Sequence, residues 1–229
     1  MSQADTTQVA RYALAVDVVC FALEEEGLLV LLMRRADDPF AGCWALPGGL
    51  AQPDEDLDAA AARVLRERTE LEGTYLEQLY TFANPQRDPR GRTVSVSYLA
   101  VLPFGGASVS AGRGAHGVAW FRPDTLPPLA FDHERILSYA VRRLRDKIVR
   151  TPLAFLLLPE EFTISDLRRV HERVLGAPIP HQTNFQTKML ARWPLLRVEN
   201  ARARRGRRMA QLYRYVGPRE VPGAPPPAA

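Results

Sequence analysis

The apolar and polar positions of the chain fall into runs that read as alternating strands and helices. YALAVDVVCFALEEEGLLVLLMRR is mostly apolar, with β-branched residues in its first half, and predicts two strands around Gly27. DDPFAGCWALPGG is punctuated by Pro and Gly and predicts a loop entering a short strand near Trp44. DEDLDAAAARVLRERTEL has the acidic start and the Ala/Leu content of a helix. YLEQLYTFA and TVSVSYLAVLP predict strands joined by the turn-rich NPQRDPRGR, and GVAWFRP a further short strand. In HERILSYAVRRLRDKIV, the residues Ile136, Leu137, Ala140, Val141, Leu144 and Ile148 recur at helical spacing, so an amphipathic helix follows. This mixture predicts an α/β sandwich of about 150 residues, a mixed sheet between helices.

The back third has a different pattern. FTISDLRRVHERVLG opens on a Thr-x-x-Asp box at Thr163 to Asp166 and closes on Gly176, the marks of a capped helix. PHQTNFQTKMLARWP predicts a second short helix stopped by Pro194. LLRVEN and AQLYRYV predict short strands on either side of ARARRGRRM, a hairpin with an arginine-rich tip at Gly206. Helix, turn, helix and basic hairpin is the order of a winged helix. The expected division is therefore 1–150 for the sandwich and 151–216 for the winged helix. GPREVPGAPPPAA, 217–229, has little to bury and is expected to be disordered.

Composition adds charge to this division. Hydrophobic residues make up 46% and charged residues 24%, as in soluble globular proteins. No run approaches the ~20 apolar residues of a membrane span, and the N-terminus lacks a signal-peptide core. A cytoplasmic protein without a membrane partner is expected. Cys20 and Cys43 both sit in apolar runs and read as reduced packing residues. Residues 1–150 hold 17 Lys and Arg against 20 Asp and Glu, a net of −3. Residues 151–229 hold 13 against 6, a net of +7. A basic second module suits a polyanion, with a tail that only aids solubility as the alternative.

The stretch Gly49–Leu71, preceded by WALPGG, resembles the Nudix box, G-x5-E-x7-R-E-U-x-E-E-x-G-U with U apolar. Gly49, Glu55, Arg63, Leu65, Glu67 and Leu71 match, whereas Val64, Arg68 and Glu70 stand where the pattern has Glu, Glu and Gly. In that family the carboxylates at the places of Val64, Glu67 and Arg68 would share a helix face and hold divalent cations that activate water against a pyrophosphate. Here the face reads Val, Glu, Arg, so its formal charge changes from −3 to 0. No catalytic or metal-binding residue is assigned and no cofactor is required, although weak Mg²⁺ binding stays open. Glu70, six residues beyond Val64, points away around the helix. Arg68 is a candidate for meeting phosphate where the metal would lie, with a surface ion pair as the alternative. Arg63 and Glu67, four apart, read first as a salt bridge. Trp44 is a candidate to stack on a base, with packing beside the Pro-Gly turn as the alternative.

RRADDPFAGCWALPGG and NPQRDPRGR resemble the Nudix branch that handles ADP-ribose. By that resemblance Arg34, Arg35, Arg87, Asp88 and Arg90 would line an effector pocket, together with Trp44, Gly49, Arg63, Glu67 and Arg68. LPPLAFDHERIL, with His133 at a helix start, resembles the same branch. With FTISDLRRVHERVLG, NFQTKML and RRGRRMAQLYRY added, residues 10 to 216 resemble the NrtR-type transcriptional repressors of NAD metabolism. That resemblance implies a homodimer in which an ADP-ribose-like ligand releases operator DNA controlling NAD biosynthesis or salvage genes. The DNA contacts would come from Gln182, Thr183, Asn184, Gln186, Thr187 and Lys188 on the second helix and from Arg202, Arg204, Arg205, Arg207 and Arg208 on the hairpin. Gln186 and Thr187 stand where the family carries more basic residues, which bears on the operator sequence. The rival expectation is an ADP-ribose pyrophosphatase with a basic accessory domain, and a third is a protein that slowly hydrolyses its own effector.

Overall fold

The computed structural model describes residues 11–24, 27–69, 71, 75–102, 115–205 and 208–218. Its first strand, β1 (Ala13–Glu24), lies inside a mixed sheet with β2 (Gly27–Arg35), β3 (Trp44–Ala45), β4 (Gly48–Leu50), β5 (Tyr75–Phe82), β6 (Thr93–Val101) and β7 (Ala115–Phe121). The order is β3-β2-β1-β6-β5, with β4 on β1 and β7 on β2; β1 and β6 run parallel and the other pairs antiparallel. Side chains alternate across a strand, and this explains why β1 is apolar nearly throughout. Val16, Val18, Cys20 and Ala22 pack with Ala60, Ala61, Val64 and Leu65 of helix α1 (Leu57–Thr69). Val19, Phe21 and Leu23 pack with Ile136, Leu137, Ala140, Leu144 and Ile148 of helix α2 (His133–Arg150). Each such Leu or Phe contributes about 1.5–3 kcal/mol when fully buried. Cys20 is buried as expected, but Cys43 is exposed.

Beyond α2 a 3₁₀ turn, Pro152–Phe155, leads to β8 (Glu161–Phe162), α3 (Ile164–Leu175), α4 (Gln182–Arg192), β9 (Leu195–Arg205) and β10 (Arg208–Tyr215). The Thr163 hydroxyl accepts from the Asp166 amide, and the Asp166 carboxylate accepts from the Thr163 amide at 3.0 Å, so the capping box forms. Gly176 ends α3 with φ 72, a left-handed residue that suits glycine. The second helix occupies the expected residues, with Phe185 buried against the ring of His171 at 5.3 Å. The hairpin departs from expectation. Its strands continue through the basic stretch, pairing Gln211 with Arg202, Met209 with Arg204 and Arg208 with Arg205. Arg202, Arg204, Arg205 and Arg208 therefore belong to strands, because antiparallel pairing satisfies their backbone groups. Gly206 and Arg207 lie outside the described residues, as does 219–229 of the tail.

α2 ends at Arg150, and the apolar cluster runs past it into the elements that follow. Leu153, Leu157, Phe162, Leu167, Val170, Val174, Phe185 and Tyr213 share one cluster with the α2 face of the sheet. Arg145 Nε donates to the Val174 carbonyl at 3.1 Å and Arg192 to the Arg150 carbonyl at 3.0 Å. Among the described residues, no helix is long and apolar enough to cross a membrane.

Candidate functional site

One residue of β1 breaks its apolar run. Asp17 is buried on the α2 side of the sheet, where it accepts from Ser95 Oγ at 2.6 Å and from Arg87 Nη2 at 3.1 Å. Arg87, itself buried, also donates to both oxygens of Asp132, at 2.8 and 3.3 Å. Asp132 is the N-cap of α2 but makes no side-chain cap, because its carboxylate is turned to Arg87. The next residue, His133, accepts the Leu46 amide on Nδ1 at 3.0 Å and brings Nε2 to 3.5 Å from Asp17. Burial lowers its pKa, with Asp17 opposing and Arg87 adding to the shift. His133 is thus a neutral, satisfied part of a buried network. A Cβ on Gly48 would meet Asp17 Oδ1 at 2.3 Å, so only glycine lets β4 cross here.

Above this floor is a cleft of about 230 Å³, lined by Arg35, Arg68, Arg87 and Arg90 together with Asp17, Asp37, Asp38, Asp88, Gly49 and Phe131. Arg90 is bound to Asp88 through two hydrogen bonds, 3.0 and 2.7 Å, which hold the Asp88 carboxyl below its ordinary pKa. Arg35 instead donates to the carbonyls of Pro39 and Asp37, at 2.9 and 3.1 Å. Its pKa is lowered by burial first and by Arg90 next, so an anion here would relieve an under-compensated cation. The Phe131 ring lies 4.8 Å from the Arg35 guanidinium, 5.7 Å from that of Arg90 and 4.8 Å from the edge-on ring of Phe40. Both phenylalanines have positive φ, 55 and 67. Such backbone in a bulky residue costs roughly 1–3 kcal/mol and clusters at functional sites.

The box residues divide between clamp, core and cleft. Arg63 binds Glu55 through Nε at 2.8 Å, Glu67 through Nη1 at 3.2 Å and the Leu50 carbonyl at 3.0 Å. The Arg63 hydrogen bond holds the Glu55 carboxyl at a pKa of about 2. Arg63 and Glu67 therefore tie the loop to α1 and do not line the cleft; the salt bridge is their placement. Gly49 lines the cleft and presses on Val64, whose Cγ2 would be 3.1 Å from a Cβ there. Val64, one turn before Arg68 on α1, belongs to the apolar cluster at 1% exposure. A divalent cation does not fit this donor set: Glu67 is engaged by Arg63, Val64 offers no oxygen, and Arg68 is cationic. Among the described residues no three His, Cys, Asp or Glu are grouped to hold a metal. Glu70 lies outside them.

Besides Arg63 and Glu67, two more of the expected residues lie off the cleft. Arg34 alternates with Arg35 along β2, so it points away from the cleft and donates to the Gly42 carbonyl at 2.9 Å. Trp44 packs edge-to-face on Phe121 at 4.8 Å, joins the α2-side cluster and is not among the residues that line the cleft. Asp17, Ser95, Asp132, Phe131 and Phe40 were not foreseen. Asp17 had a signal, a lone charge in an apolar run; Asp132 reads as an ordinary N-cap, and the phenylalanines carry no sequence mark.

On the second domain, α4 turns Gln182, Thr183, Asn184, Thr187 and Lys188 to solvent, with Gln186 half-buried. Phe185 is buried, and Met189 and Leu190 pack against the same cluster. Gln182 Nε2 reaches Ser165 Oγ at 3.4 Å, and Thr187 Oγ1 donates to the Thr183 carbonyl at 3.0 Å. A helix whose exposed positions are polar can present donors to a groove.

The sequence matches the NUDIX domain model over residues 11–140 and the NrtR DNA-binding winged helix domain model over residues 154–215. It is 33% identical over 206 residues to the "ADPR responsive transcriptional repressor NtrR" of Acinetobacter baylyi, covering 89% of this chain and 82% of that one. The structure of Shewanella oneidensis NrtR complexed with a 27mer DNA is similar with a TM-score of 0.74 at 35% identity, over 88% of this chain and 93% of that one. The NUDIX domain of the same Shewanella protein, complexed with ADP ribose, matches 62% of this chain and 94% of its own at 36% identity and a TM-score of 0.55. The chain belongs to the Nudix family, in the NrtR-type branch that joins a Nudix domain to a winged helix.

Proposed function

We propose that this protein is a homodimeric transcriptional repressor of NAD-metabolism genes, released from operator DNA by ADP-ribose or a related NAD-derived diphosphate. The observation that carries this reading is the joining of an arginine-lined cleft to a helix-turn-helix through one helix and one apolar cluster. Arg35, Arg68, Arg87 and Arg90 suit a diphosphate, and the donor set beside them does not suit a catalytic cation. α4 would enter the major groove, with Gln182, Thr183, Asn184, Gln186, Thr187 and Lys188 toward bases and phosphates. Arg202, Arg204, Arg205, Arg207 and Arg208 would serve the backbone.

α2 supplies the mechanical link. Its 18 residues span about 27 Å. At one end Asp132 and His133 touch Arg87 and Leu46 at the cleft; at the other, Arg145 and Arg150 touch α3 and α4. A ligand releases DNA only by binding the off-DNA arrangement more tightly, and a tenfold release needs about 1.4 kcal/mol of coupling. The rival reading, hydrolysis of ADP-ribose, calls on Glu67 as a metal ligand although Arg63 occupies it. ADP-ribose turnover with Mg²⁺ or Mn²⁺ separates the two: the proposal expects binding by calorimetry and no turnover. Robust turnover lost on Glu67→Gln would make this an enzyme first.

A further inference from the structure

The start of α2 holds three of the four arginines that line the cleft. Asp132 gives up its capping role to bind Arg87, and Phe131, one residue earlier, touches both Arg35 and Arg90. Phe131 reaches them because its backbone is left-handed, φ 55, which turns the ring toward the cleft just before the helix begins. The ring has further neighbours. Phe40 meets it edge-to-face, and Phe40 follows the Asp37 and Pro39 carbonyls that accept from Arg35. The ring of His133 lies 5.2 Å away on another side. With two guanidiniums and two rings around it, Phe131 is half-buried at the edge of the cleft.

We propose that Phe131 is a positioning residue of the effector site, whose ring holds the Arg35 and Arg90 guanidiniums in place for the diphosphate of the ligand. The inference rests on the reading that this cleft takes an ADP-ribose-like molecule. The physical basis is the attraction of a guanidinium to the negative face of an aromatic ring. An arginine already oriented surrenders less rotamer freedom when it meets phosphate, so affinity gains without any new contact to the ligand. Phe131 also adjoins the N-cap of α2, so the residue that orders the phosphate-binding arginines is two peptide bonds from the first residue of the helix leading to the winged helix. The residue itself need not touch the ligand.

The test uses the full-length chain and calorimetry with three probes: ADP-ribose, inorganic pyrophosphate and adenosine. Phe131→Leu is expected to weaken ADP-ribose and pyrophosphate about tenfold each and to leave adenosine unchanged, while Phe131→Tyr restores both to within about twofold. Replacing Phe131 by pentafluorophenylalanine keeps the shape and reverses the ring quadrupole, so affinity should fall with the unfolding temperature unchanged; this arm decides the matter if Phe131→Leu does not fold. Equal ADP-ribose affinity in wild type and in either Phe131→Leu or the pentafluorophenylalanine protein overturns the proposal. So does a loss confined to adenosine, which would make the ring a base platform. A wild type that binds neither ADP-ribose nor pyrophosphate overturns the reading of the cleft itself, an outcome distinct from the others.

Discussion

Val64→Glu asks whether the altered box could ever face a metal in this fold. Val64 is 1% exposed, among Val16, Val18, Cys20, Ala60, Ala61, Leu65, Val96 and Tyr98. Cys20 gauges how that cluster treats negative charge: burial pushes its thiol from 9.0 up to about 12. A carboxyl resisted to the same degree would titrate near pH 7 in the folded chain and near 4.3 in the unfolded one. The folded state then takes up a proton that the unfolded state does not, so the penalty grows with pH. It amounts to about 4 kcal/mol at pH 7.5 and about 2 kcal/mol at pH 5.5, or roughly 8–16 °C in Tm at the higher pH. Thermal unfolding followed by circular dichroism, with EDTA and against wild type at each pH, reads this directly. Val64→Gln should destabilise without the difference between the two pH values. A Val64→Glu protein within about 1 kcal/mol of wild type at pH 7.5 would refute the reasoning. So would its stabilisation by millimolar Mg²⁺, because position 64 would then reach solvent or metal. Restoring two glutamates together, as Val64→Glu/Arg68→Glu, must therefore be read beside an unfolding curve.

Arg87→Met leaves Asp17 and Asp132 without their shared cation and should cost about 3–5 kcal/mol by urea unfolding; a loss below about 1 kcal/mol would mean the network is not needed for the fold. Thr163→Ala removes the hydroxyl half of the α3 capping box and should cost about 1 kcal/mol by the same assay, lowering DNA affinity only through the fraction folded. His133 and His171 are held below their ordinary pKa, chiefly by burial, so the unfolded chain binds protons that the folded chain refuses as pH drops through 6.5. Stability is therefore greatest above that pH and declines below it; His171→Leu should flatten the decline by up to about 1.4 kcal/mol per pH unit, and an unchanged slope would contradict the assignment. Glu55, held at about 2, adds a separate loss as pH falls from 4.5 toward 2, which Glu55→Gln should abolish.

The fold was legible where periodicity and punctuation carry it. The apolar run of β1, the capping box at Thr163 and the αL glycine at 176 each name an element and its limits, since they act within a few residues. The candidate cleft was half legible. Arg35, Arg68, Arg87, Asp88 and Arg90 come together, but Arg34 does not, because alternation along β2 puts it on the other face. The roles of Asp17, Asp132 and Phe131 depend on partners distant in sequence: Arg87 lies 70 residues from Asp17 and 45 from Asp132, so no local pattern marks them. Helical spacing does put Val64 one turn before Arg68, but the box pattern carries no sign that the apolar cluster under β1 buries it. The wing was under-read because a run of arginines resembles a solvated loop, although strand pairing tolerates it.

The most direct measurement is release of DNA by ADP-ribose in the absence of metal. A labelled duplex selected by this protein from a random-sequence pool is bound to the full chain in EDTA and titrated with ADP-ribose while fluorescence anisotropy is followed. The duplex should be released and ADP-ribose recovered intact. Retention of the duplex at saturating ADP-ribose, or release only after Mg²⁺ is added and the ligand is cleaved, would contradict this.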